Sequence, residues 1–187
     1  MGAPFDIQRR MLTVEDYRRM GEVGIFGKHD RVELVEGELI QMAPIGPSHA
    51  RAVIFLTKEF VLQLGDRAYA SVQASFSLPP LNEFEPDLAI VTAEWADGTR
   101  LPGREHALLV VEVSHSSLRY DRDVKLPIYA RHGIPEVWLF DVEREQVLVH
   151  RDPEPTGYRT RSVAAKHEVL TPALLPHVHI DLKTIYR

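Results

Sequence analysis

The sequence predicts an α/β or α+β fold, in which a mixed β-sheet is flanked by helices. Two near-continuous apolar runs, at residues 87–91 and 107–113, are typical of central strands that are covered on both faces. Residues 47–64 predict an amphipathic helix, because their apolar side chains recur at i, i+3 and i+4. Ser48 is a suitable cap for this helix, and Gly65 marks its end.

The N-terminal part of the chain predicts a short helix followed by a hairpin. Thr13 is a suitable cap for a helix over residues 13–20. Residues 31–43, RVELVEGELIQMA, are typical of a β-hairpin with Glu36 and Gly37 at its turn. We therefore expect the mixed sheet to be preceded by a helix and a hairpin.

The second half of the chain predicts strands around one further helix. Residues 68–78 have a strand pattern. Later strands are expected at residues 136–142, 146–151, 157–163 and 177–182. A helix is expected over residues 121–132 and ends at Gly133. Since Pro127 interrupts its pattern, this helix either begins near Asp123 or bends.

Length and composition are those of an ordinary globular protein. The 187 residues predict a single domain, 1–187, with residues 1–12 peripheral to it. The sequence contains no apolar run near the ~20 residues that cross a bilayer and no signal peptide, so a cytoplasmic location is expected. The chain has no cysteine, which excludes disulfides, thiolate metal sites and cysteine nucleophiles.

The charge distribution gives limited information about partners. A net charge of -5 is unfavourable for a nonspecific nucleic-acid binder, which normally presents a basic face. Residues 100–131 differ from the rest of the chain, because they carry six basic and four acidic side chains, a balance of +2. This local excess weakly favours a phosphate-bearing substrate.

Two carboxylates interrupt the apolar strands, and a lysine follows them. Asp87 begins DLAIV, and Glu112 lies within ALLVVEV. An unpaired carboxylate is costly to bury, so two of them in core strands indicate a site. Carboxylates are suitable ligands for Mg²⁺ or Mn²⁺, and Lys125 beside such an ion would stabilise an attacking water or a phosphate.

Each of these residues also has a purely structural interpretation. Asp87 taken alone is as readily a turn or cap residue at the start of a strand. Glu112 is also compatible with a buried ion pair to an arginine. Lys125 is spaced from Asp121 like an ordinary surface pair on a helix. Tyr129, one turn further along the same face, either packs beside the lysine or binds substrate.

Other catalytic patterns are absent from the sequence. The nine histidines include no HExxH pair, and His177 and His179 share a strand face without an evident third ligand. The serines at positions 114–117 lack a G-x-S-x-G elbow, and no GxGxxG or GxxxxGK[ST] occurs. His49, at the start of its helix, either enters the pocket or lies on the surface.

Four segments together resemble a known family: RVELVEGELIQMAPIGPSHA, EPDLAIV, VVEVSHSS and DVKLPIYARHGIPEVWLFD. They are similar to the Uma-type family of bacterial proteins within the PD-(D/E)xK nuclease superfamily, and the resemblance runs from Thr13 to the C-terminus. The usual motif places its lysine two residues after the glutamate, where this chain has Ser114. Lys125 resembles the lysine of superfamily branches that carry it on the following helix.

The resemblance implies a restriction-endonuclease-like fold and a metal-dependent endonuclease that hydrolyses phosphodiesters, in DNA rather than RNA. By this resemblance Asp87 and Glu112 bind Mg²⁺ or Mn²⁺, with the Val113 carbonyl as a further ligand. Lys125 then orients or helps to deprotonate the attacking water. The alternative is a catalytically inactive nucleic-acid- or protein-binding module on the same fold.

The resemblance also implies an early glutamate, for which the hairpin offers three candidates. Glu33 matches the family position best and would complete the acidic cluster, whereas Glu36 and Glu38 lie at or after the turn. All three are equally compatible with a solvated hairpin face. His49 and Tyr129 are candidate substrate-binding residues. A homodimer is expected as well, because nucleases of this kind commonly cut two strands as dimers and edge strands invite pairing.

Overall fold

A computed structural model describes residues 9–27, 30–97 and 99–186 of the chain. The helices are α1 (Val14–Glu22), α2 (Pro47–Leu64), α3 (Leu118–Tyr120), α4 (Leu126–Arg131) and α5 (Leu182–Ile185). The strands are β1 (Val32–Val35), β2 (Glu38–Gln41), β3 (Ala68–Val72), β4 (Phe76–Leu78), β5 (Asn82–Phe84), β6 (Leu88–Thr92), β7 (Ala107–Ser114), β8 (Glu136–Asp141), β9 (Gln146–Glu154), β10 (Gly157–Ala165), β11 (Val169–Leu170) and β12 (Ile180–Asp181). Single 3₁₀ turns follow α2 and β6, and a π-helical turn at Asp121–Lys125 joins α3 to α4.

A mixed six-stranded sheet with the order β10-β9-β8-β7-β6-β3 forms the centre of the molecule. The pair β7–β8 is parallel, and the other pairs of this sheet are antiparallel. A four-stranded antiparallel sheet, β2-β1-β5-β4, contains the hairpin. The strands β11 and β12 form a small separate pair.

The central sheet is covered on both faces, as its continuous apolar strands predict. One face packs against α2 and the C-terminal segment, and this cluster includes Phe60, Val111 and Trp138. The other face packs against α4 and the four-stranded sheet, and this cluster includes Phe84 and Val110. Alternate residues of β7 therefore face different layers, and Glu112 lies on the face of Val110.

Strand pairing brings the two predicted strand carboxylates to one edge of the sheet. Because β6 and β7 are antiparallel and pair Leu88 with Val111, the start of β6 meets the end of β7. Asp87 precedes β6 directly, and Glu112 lies near the end of β7. The connection from β7 to its parallel neighbour β8 crosses over through α3, the π-turn and α4. That connection carries Lys125.

The helices α1 and α2 and the hairpin lie where the sequence predicts them. Thr13 caps α1 through the backbone N–H of Asp16, and the hairpin turn consists of Glu36 and Gly37, which both have positive φ. The prediction that Ser48 caps α2 is wrong. Gly46 occupies the cap position without a side-chain hydrogen bond, because Pro47 already begins the helix.

Two other element predictions need correction. Residues 68–78 do not form one strand, since β3 joins the central sheet and β4 joins the other sheet; the short β5 was not predicted. The expected helix 121–132 is part of a longer helical segment, because α3, the π-turn and α4 run on without a break from Leu118 to Arg131. The backbone N–H of Leu126 donates to the carbonyl of Asp121, five residues earlier, and Pro127 lies directly after this π-turn.

Within the described part of the chain, no helix has both the length and the apolar character needed to cross a membrane. Most of the N-terminal segment expected to be peripheral, residues 1–8, lies outside the described residues. The single-domain boundaries 1–187 therefore remain a prediction.

Candidate active site

Asp87 is held by three different elements at the edge of the central sheet. Its Oδ2 accepts a 2.8 Å hydrogen bond from the backbone N–H of Val113 on β7. Its Oδ1 accepts from Nε2 of Gln73 at 3.1 Å and lies 2.7 Å from Nε2 of His49, in the first turns of α2. These contacts fix the orientation of a carboxylate whose side chain is only 7% exposed.

Glu112, Lys125 and Glu33 form a buried ion network next to Asp87. Nζ of Lys125 donates to Oε1 of Glu33 at 2.9 Å and to Oε1 of Glu112 at 3.3 Å. The hydroxyl of Tyr129 donates to the same oxygen of Glu112 at 2.7 Å, and the backbone N–H of Glu85 donates to Glu33 at 2.8 Å. Burial of both carboxylates is tolerable because the ammonium group pairs with each of them.

A fourth buried carboxylate, Asp121, links the end of β7 to the turn that carries Lys125. Oδ2 of Asp121 accepts hydrogen bonds from the hydroxyl groups of Ser114 at 2.7 Å and Ser117 at 2.8 Å. Ser114 is the residue two positions after Glu112, and Asp121 lies one turn before Lys125. Strand and π-turn are therefore connected through a charged side chain that is 3% exposed.

The buried charges shift the proton affinities of these groups in opposite directions. Burial, reinforced by the like charges of Asp121, Asp87 and Glu33, raises the pKa of Glu112 to about 8. Burial acts to lower the pKa of Lys125, but the carboxylates around it outweigh burial and hold that pKa above its ordinary value. Lys125 is therefore charged at neutral pH, and Glu112 holds a proton more readily than an exposed glutamate does.

Two neighbouring groups are shifted in the same sense as Glu112. Burial raises the pKa of Asp121, although Lys125 and the two serine hydroxyls partly oppose it. Burial and the adjacent Glu112 raise the pKa of Tyr129 well above its ordinary value. Tyr129 is therefore a neutral hydrogen-bond donor to Glu112.

A cavity of about 300 Å³ opens onto this cluster. Asp87, Glu112, Asp121 and Lys125 contribute to its lining, together with His49. Its remaining wall consists of the segment 42–48, which leads into α2, and of residues 115–117 after β7. The charged Arg31 and Glu85 also border the cavity. The cluster is thus reached from solvent through a concave entrance.

The residues of this cavity fit a metal site in which two side-chain carboxylates bind the ion and a backbone carbonyl and waters supply the other ligands. Within the described residues, no three or more histidine, aspartate or glutamate side chains are grouped so that they could hold a metal ion. Asp87 and Glu112 would hold Mg²⁺ or Mn²⁺ together with the Val113 carbonyl, and Mg²⁺ usually keeps several waters. Three carboxyl groups that line the cavity, those of Asp87, Glu112 and Asp121, are buried there with a single lysine, and this balance favours a cation.

The structure brings together most of the site residues predicted from the sequence. Asp87, Glu112 and Lys125 lie around one cavity, which His49 also lines. Lys125 is 1% exposed, so the surface-pair interpretation of Lys125 with Asp121 is wrong. The arginine partner considered for Glu112 is replaced by Lys125 and Tyr129.

The structure also decides among the three hairpin glutamates and between the two roles considered for Tyr129. Glu33 is fully buried against Lys125, whereas the exposed Glu36 pairs with Arg131 and the exposed Glu38 lies near Arg9. The solvated-face alternative is therefore wrong for Glu33. Tyr129 is fully buried beneath Glu112 and does not line the cavity, so it packs beside the lysine and has no direct contact with a substrate there.

Two residues of the site were not predicted from the sequence. Asp121 was considered only as a surface partner of Lys125, although the serines at 114–117 that bind it were visible as a cluster. Gln73, which binds Asp87, has a φ of 45°, and no sequence signal marks it. A strained backbone in a residue other than glycine is frequent at functional sites.

Comparison with known proteins agrees with this description. The model of the Uma2 family, described as "Putative restriction endonuclease", matches residues 14–183 of the chain. An uncharacterized protein of Synechocystis sp. is 23% identical over 125 residues, which cover 64% of this chain and 68% of that protein.

A solved structure has the same fold. The crystal structure of "a putative nuclease belonging to DUF820" from Anabaena variabilis superimposes with a TM-score of 0.72 at 15% sequence identity, covering 94% of this chain and 97% of that one. At this identity the similarity concerns the fold alone. The predicted fold, a restriction-endonuclease-like mixed sheet flanked by helices with an N-terminal helix and hairpin, is thereby confirmed.

Proposed function

The chain belongs to the Uma2 family of restriction-endonuclease-like proteins, and from this premise we propose that it is a metal-dependent endonuclease that hydrolyses phosphodiester bonds in DNA. The observation that supports this most is the placement of Lys125 within hydrogen-bond distance of Glu112, at the cavity that Asp87 also lines. Carboxylates that hold a metal ion and a lysine that stabilises charge are groups suited to phosphodiester hydrolysis.

The carboxylates of Asp87 and Glu112 are the proposed metal ligands. Asp87 is already oriented by Val113, Gln73 and His49, so little reorganisation is needed for it to bind a cation. A bound Mg²⁺ or Mn²⁺ would neutralise phosphate charge and lower the pKa of a coordinated water. Glu112 would bind as the carboxylate, because a nearby cation lowers the raised pKa of this group.

Lys125 supplies a fixed positive charge and a hydrogen-bond donor. Its ammonium group has three N–H donors, and Glu33 and Glu112 take two of them. The third can be given to the attacking water or to a phosphate oxygen in the cavity. Since its pKa is held above the ordinary value, Lys125 acts in this account by orienting the water and by charge stabilisation.

The cavity wall also offers groups suited to a phosphate. The start of α2 borders the cavity at Pro47, Ser48 and His49. Pro47 has no N–H, so the backbone N–H groups of Ser48 and His49 are the ones in this turn without a partner within the helix. Arg31 and His115 stand at the same wall. A phosphate in the cavity would lie next to these groups and also next to the carboxylates that line it, so its binding depends on the proposed cation.

Cleavage of labelled DNA in Mg²⁺ and Mn²⁺ tests this proposal. We expect wild-type activity to be lost on addition of a chelator and to fall by at least about a hundredfold in Asp87→Asn, Glu112→Gln and Lys125→Met, since each removes a charge that acts in the transition state. Glu36→Gln, which changes an exposed glutamate of the hairpin turn, should retain full activity. Retention of cleavage by all three site variants would refute the mechanism.

A binding module without catalytic activity is the second candidate. One observation favours it: no group of three or more metal-binding side chains occurs among the described residues. A wild-type protein that binds nucleic acid but cleaves none of the substrates in either metal would support this function.

A further inference from the structure

A second concave surface lies directly beside the active-site cavity. This hollow, of about 450 Å³, is called here the side hollow, and its lining residues are Ile45, Ala50, Val53, Ile54, Thr57, Val72 and Gln73. None of these side chains carries a charge. Ile45 and Ile54 are 39% and 66% exposed, so the apolar surface is open to solvent.

The side hollow adjoins the catalytic cavity at two residues. Ile45 lines both, because the segment that precedes α2 runs between them. Gln73 belongs to the side hollow and donates a 3.1 Å hydrogen bond to Oδ1 of Asp87. A ligand that occupies both spaces would therefore contact a charged site at one end and an uncharged apolar site at the other.

The backbone of Gln73 supports a functional role for this junction. Its φ of 45° lies in the left-handed region, which is unfavourable for a residue with a side chain. Its backbone N–H donates to the carbonyl of Asp87, and its side chain donates to the carboxylate of Asp87. The strained conformation places one side chain at the boundary of both spaces.

The pairing of a charged cavity with an adjacent uncharged one matches the chemistry of a nucleotide. The phosphate requires the cation site and the N-terminal turn of α2, whereas a base presents flat apolar faces that pack on aliphatic side chains such as Ile45 and Ile54. A base in a continuous duplex is stacked and paired, and cannot enter a lateral pocket unless it is first extruded.

The net charge of the protein also disfavours an extended contact with a nucleic-acid duplex. A duplex binder neutralises many phosphates with arginine and lysine, but this chain has a net charge of -5. Among the described residues, the catalytic cavity is lined by one arginine, Arg31, and one lysine, Lys125. No arginine or lysine among these residues lines the side hollow. A narrow contact with one or two nucleotides fits this distribution better.

We infer that the side hollow receives a nucleobase next to the scissile phosphate, so that the substrate is an unpaired nucleic-acid strand rather than a continuous duplex. This inference rests on the proposed function for the position of the phosphate. It assigns a base-binding role to Ile45 and Ile54, and a positioning role at the boundary to Gln73.

Binding can be tested separately from cleavage. Fluorescent oligonucleotides of about 12 nucleotides, a length within the usual single-strand site sizes, are titrated with the protein in Ca²⁺ as single strands and as duplexes of the same sequence, with deoxyribose and with ribose. We expect the single strand to bind more tightly than the duplex. We also expect Ile54→Glu to weaken single-strand binding by at least about fivefold.

The matched control lies on the same helix face. Val61 is two turns beyond Ile54 on α2, is 57% exposed and does not line the side hollow, so Val61→Glu should bind the strand like the wild type. Strands with an abasic nucleotide at successive positions complete the test. At one position the loss of the base should weaken wild-type binding and abolish the effect of Ile54→Glu.

Several results would overturn the inference. Equal affinity for duplex and single strand would do so, and so would an effect of Ile54→Glu that persists on every abasic strand. Conversion of a dimer to a monomer by Ile54→Glu in sedimentation would show that the side hollow is a self-association face instead. Base-dependent binding without any cleavage would refute the hydrolase but keep this site. Cleavage of a duplex that is unaffected by Ile54→Glu would support the hydrolase but refute the base-binding site.

Discussion

Nζ of Lys125 lies 2.9 Å from Oε1 of Glu33, although 92 positions separate these residues in the chain. The contact joins β1 of the hairpin to the crossover between β7 and β8. Both side chains are almost completely buried, and Lys125 also reaches Glu112. The lysine that we propose for catalysis is therefore also a structural link between the two sheets.

Removal of Lys125 should destabilise the protein strongly. Lys125→Met leaves the carboxylates of Glu33 and Glu112 buried without the ammonium group that pairs with them. We therefore expect the free energy of unfolding to fall by about 3–5 kcal/mol. Glu33→Gln in the same chain removes one uncompensated charge, so the double variant should lose less than the sum of the single losses, with a coupling on the order of 2 kcal/mol. Urea unfolding of the four proteins measures this coupling.

The exposed pair Arg131–Glu36 provides the control for this cycle. It also joins the hairpin to the crossover region, but both side chains are accessible to solvent. Solvent screening should limit its coupling to below about 1 kcal/mol. Similar couplings for the two pairs would show that the Lys125 network has no special role in stability.

At Asp121, the stability of the protein should depend more on the acceptor oxygen of the side chain than on its charge. Asp121→Ala leaves the buried hydroxyl of Ser114 without its partner, which costs about 1–3 kcal/mol. Asp121→Asn keeps an acceptor oxygen and should cost less. Thermal unfolding compares the two variants. An Asn variant as unstable as the Ala variant would mean that the charge beside Lys125, rather than the hydrogen bonds, determines stability.

His150 should make the protein sensitive to mild acid. Burial, assisted by Arg161, lowers its pKa from the ordinary 6.5 to about 4, and neither ring nitrogen has a hydrogen-bond partner among the described residues. Because the unfolded chain binds a proton here between these two values and the folded protein does not, this residue stabilises the fold above pH 6.5. That contribution is lost as the pH falls towards 4.

Replacement of His150 by phenylalanine should remove this part of the pH dependence. We expect the melting temperature of His150→Phe to exceed that of the wild type by an amount that grows from pH 6.5 to pH 4, the window given by the two pKa values. His167→Phe, at an exposed position, should follow the wild type. A difference between His150→Phe and wild type that is constant over this range would contradict the account.

Much of the fold was predictable because local signals agreed with the final structure. The helical period of α2, the Glu36-Gly37 turn and the apolar runs of β6 and β7 each determine one element. The division of residues 68–78 between two sheets was not predictable, since β3 and β4 share one strand pattern and differ only in their tertiary partners. The π-turn was predictable only in part, because Pro127 disfavours a regular helix at this point but does not specify which irregular structure replaces it.

The site was predictable where an ionisable residue interrupted an apolar pattern. Glu112 stood out for this reason, and antiparallel pairing placed Asp87 beside it. Gln73 lies in an ordinary strand pattern and Asp121 in a polar segment, and neither residue type is unusual there, so their contacts depend on tertiary structure alone. The choice among the three hairpin glutamates likewise became clear only from burial, which separates Glu33 from the exposed pair.

Calorimetric titration with Mn²⁺ tests the central claim, a divalent-cation site at Asp87 and Glu112. We expect the wild type to bind the ion and Glu112→Gln to bind it at least about tenfold more weakly, while Glu36→Gln binds like the wild type. The titration is repeated with a short single-stranded oligonucleotide, whose phosphates can complete the coordination. No binding under either condition, or equal binding by the wild type and Glu112→Gln, would contradict the assignment of these carboxylates as metal ligands.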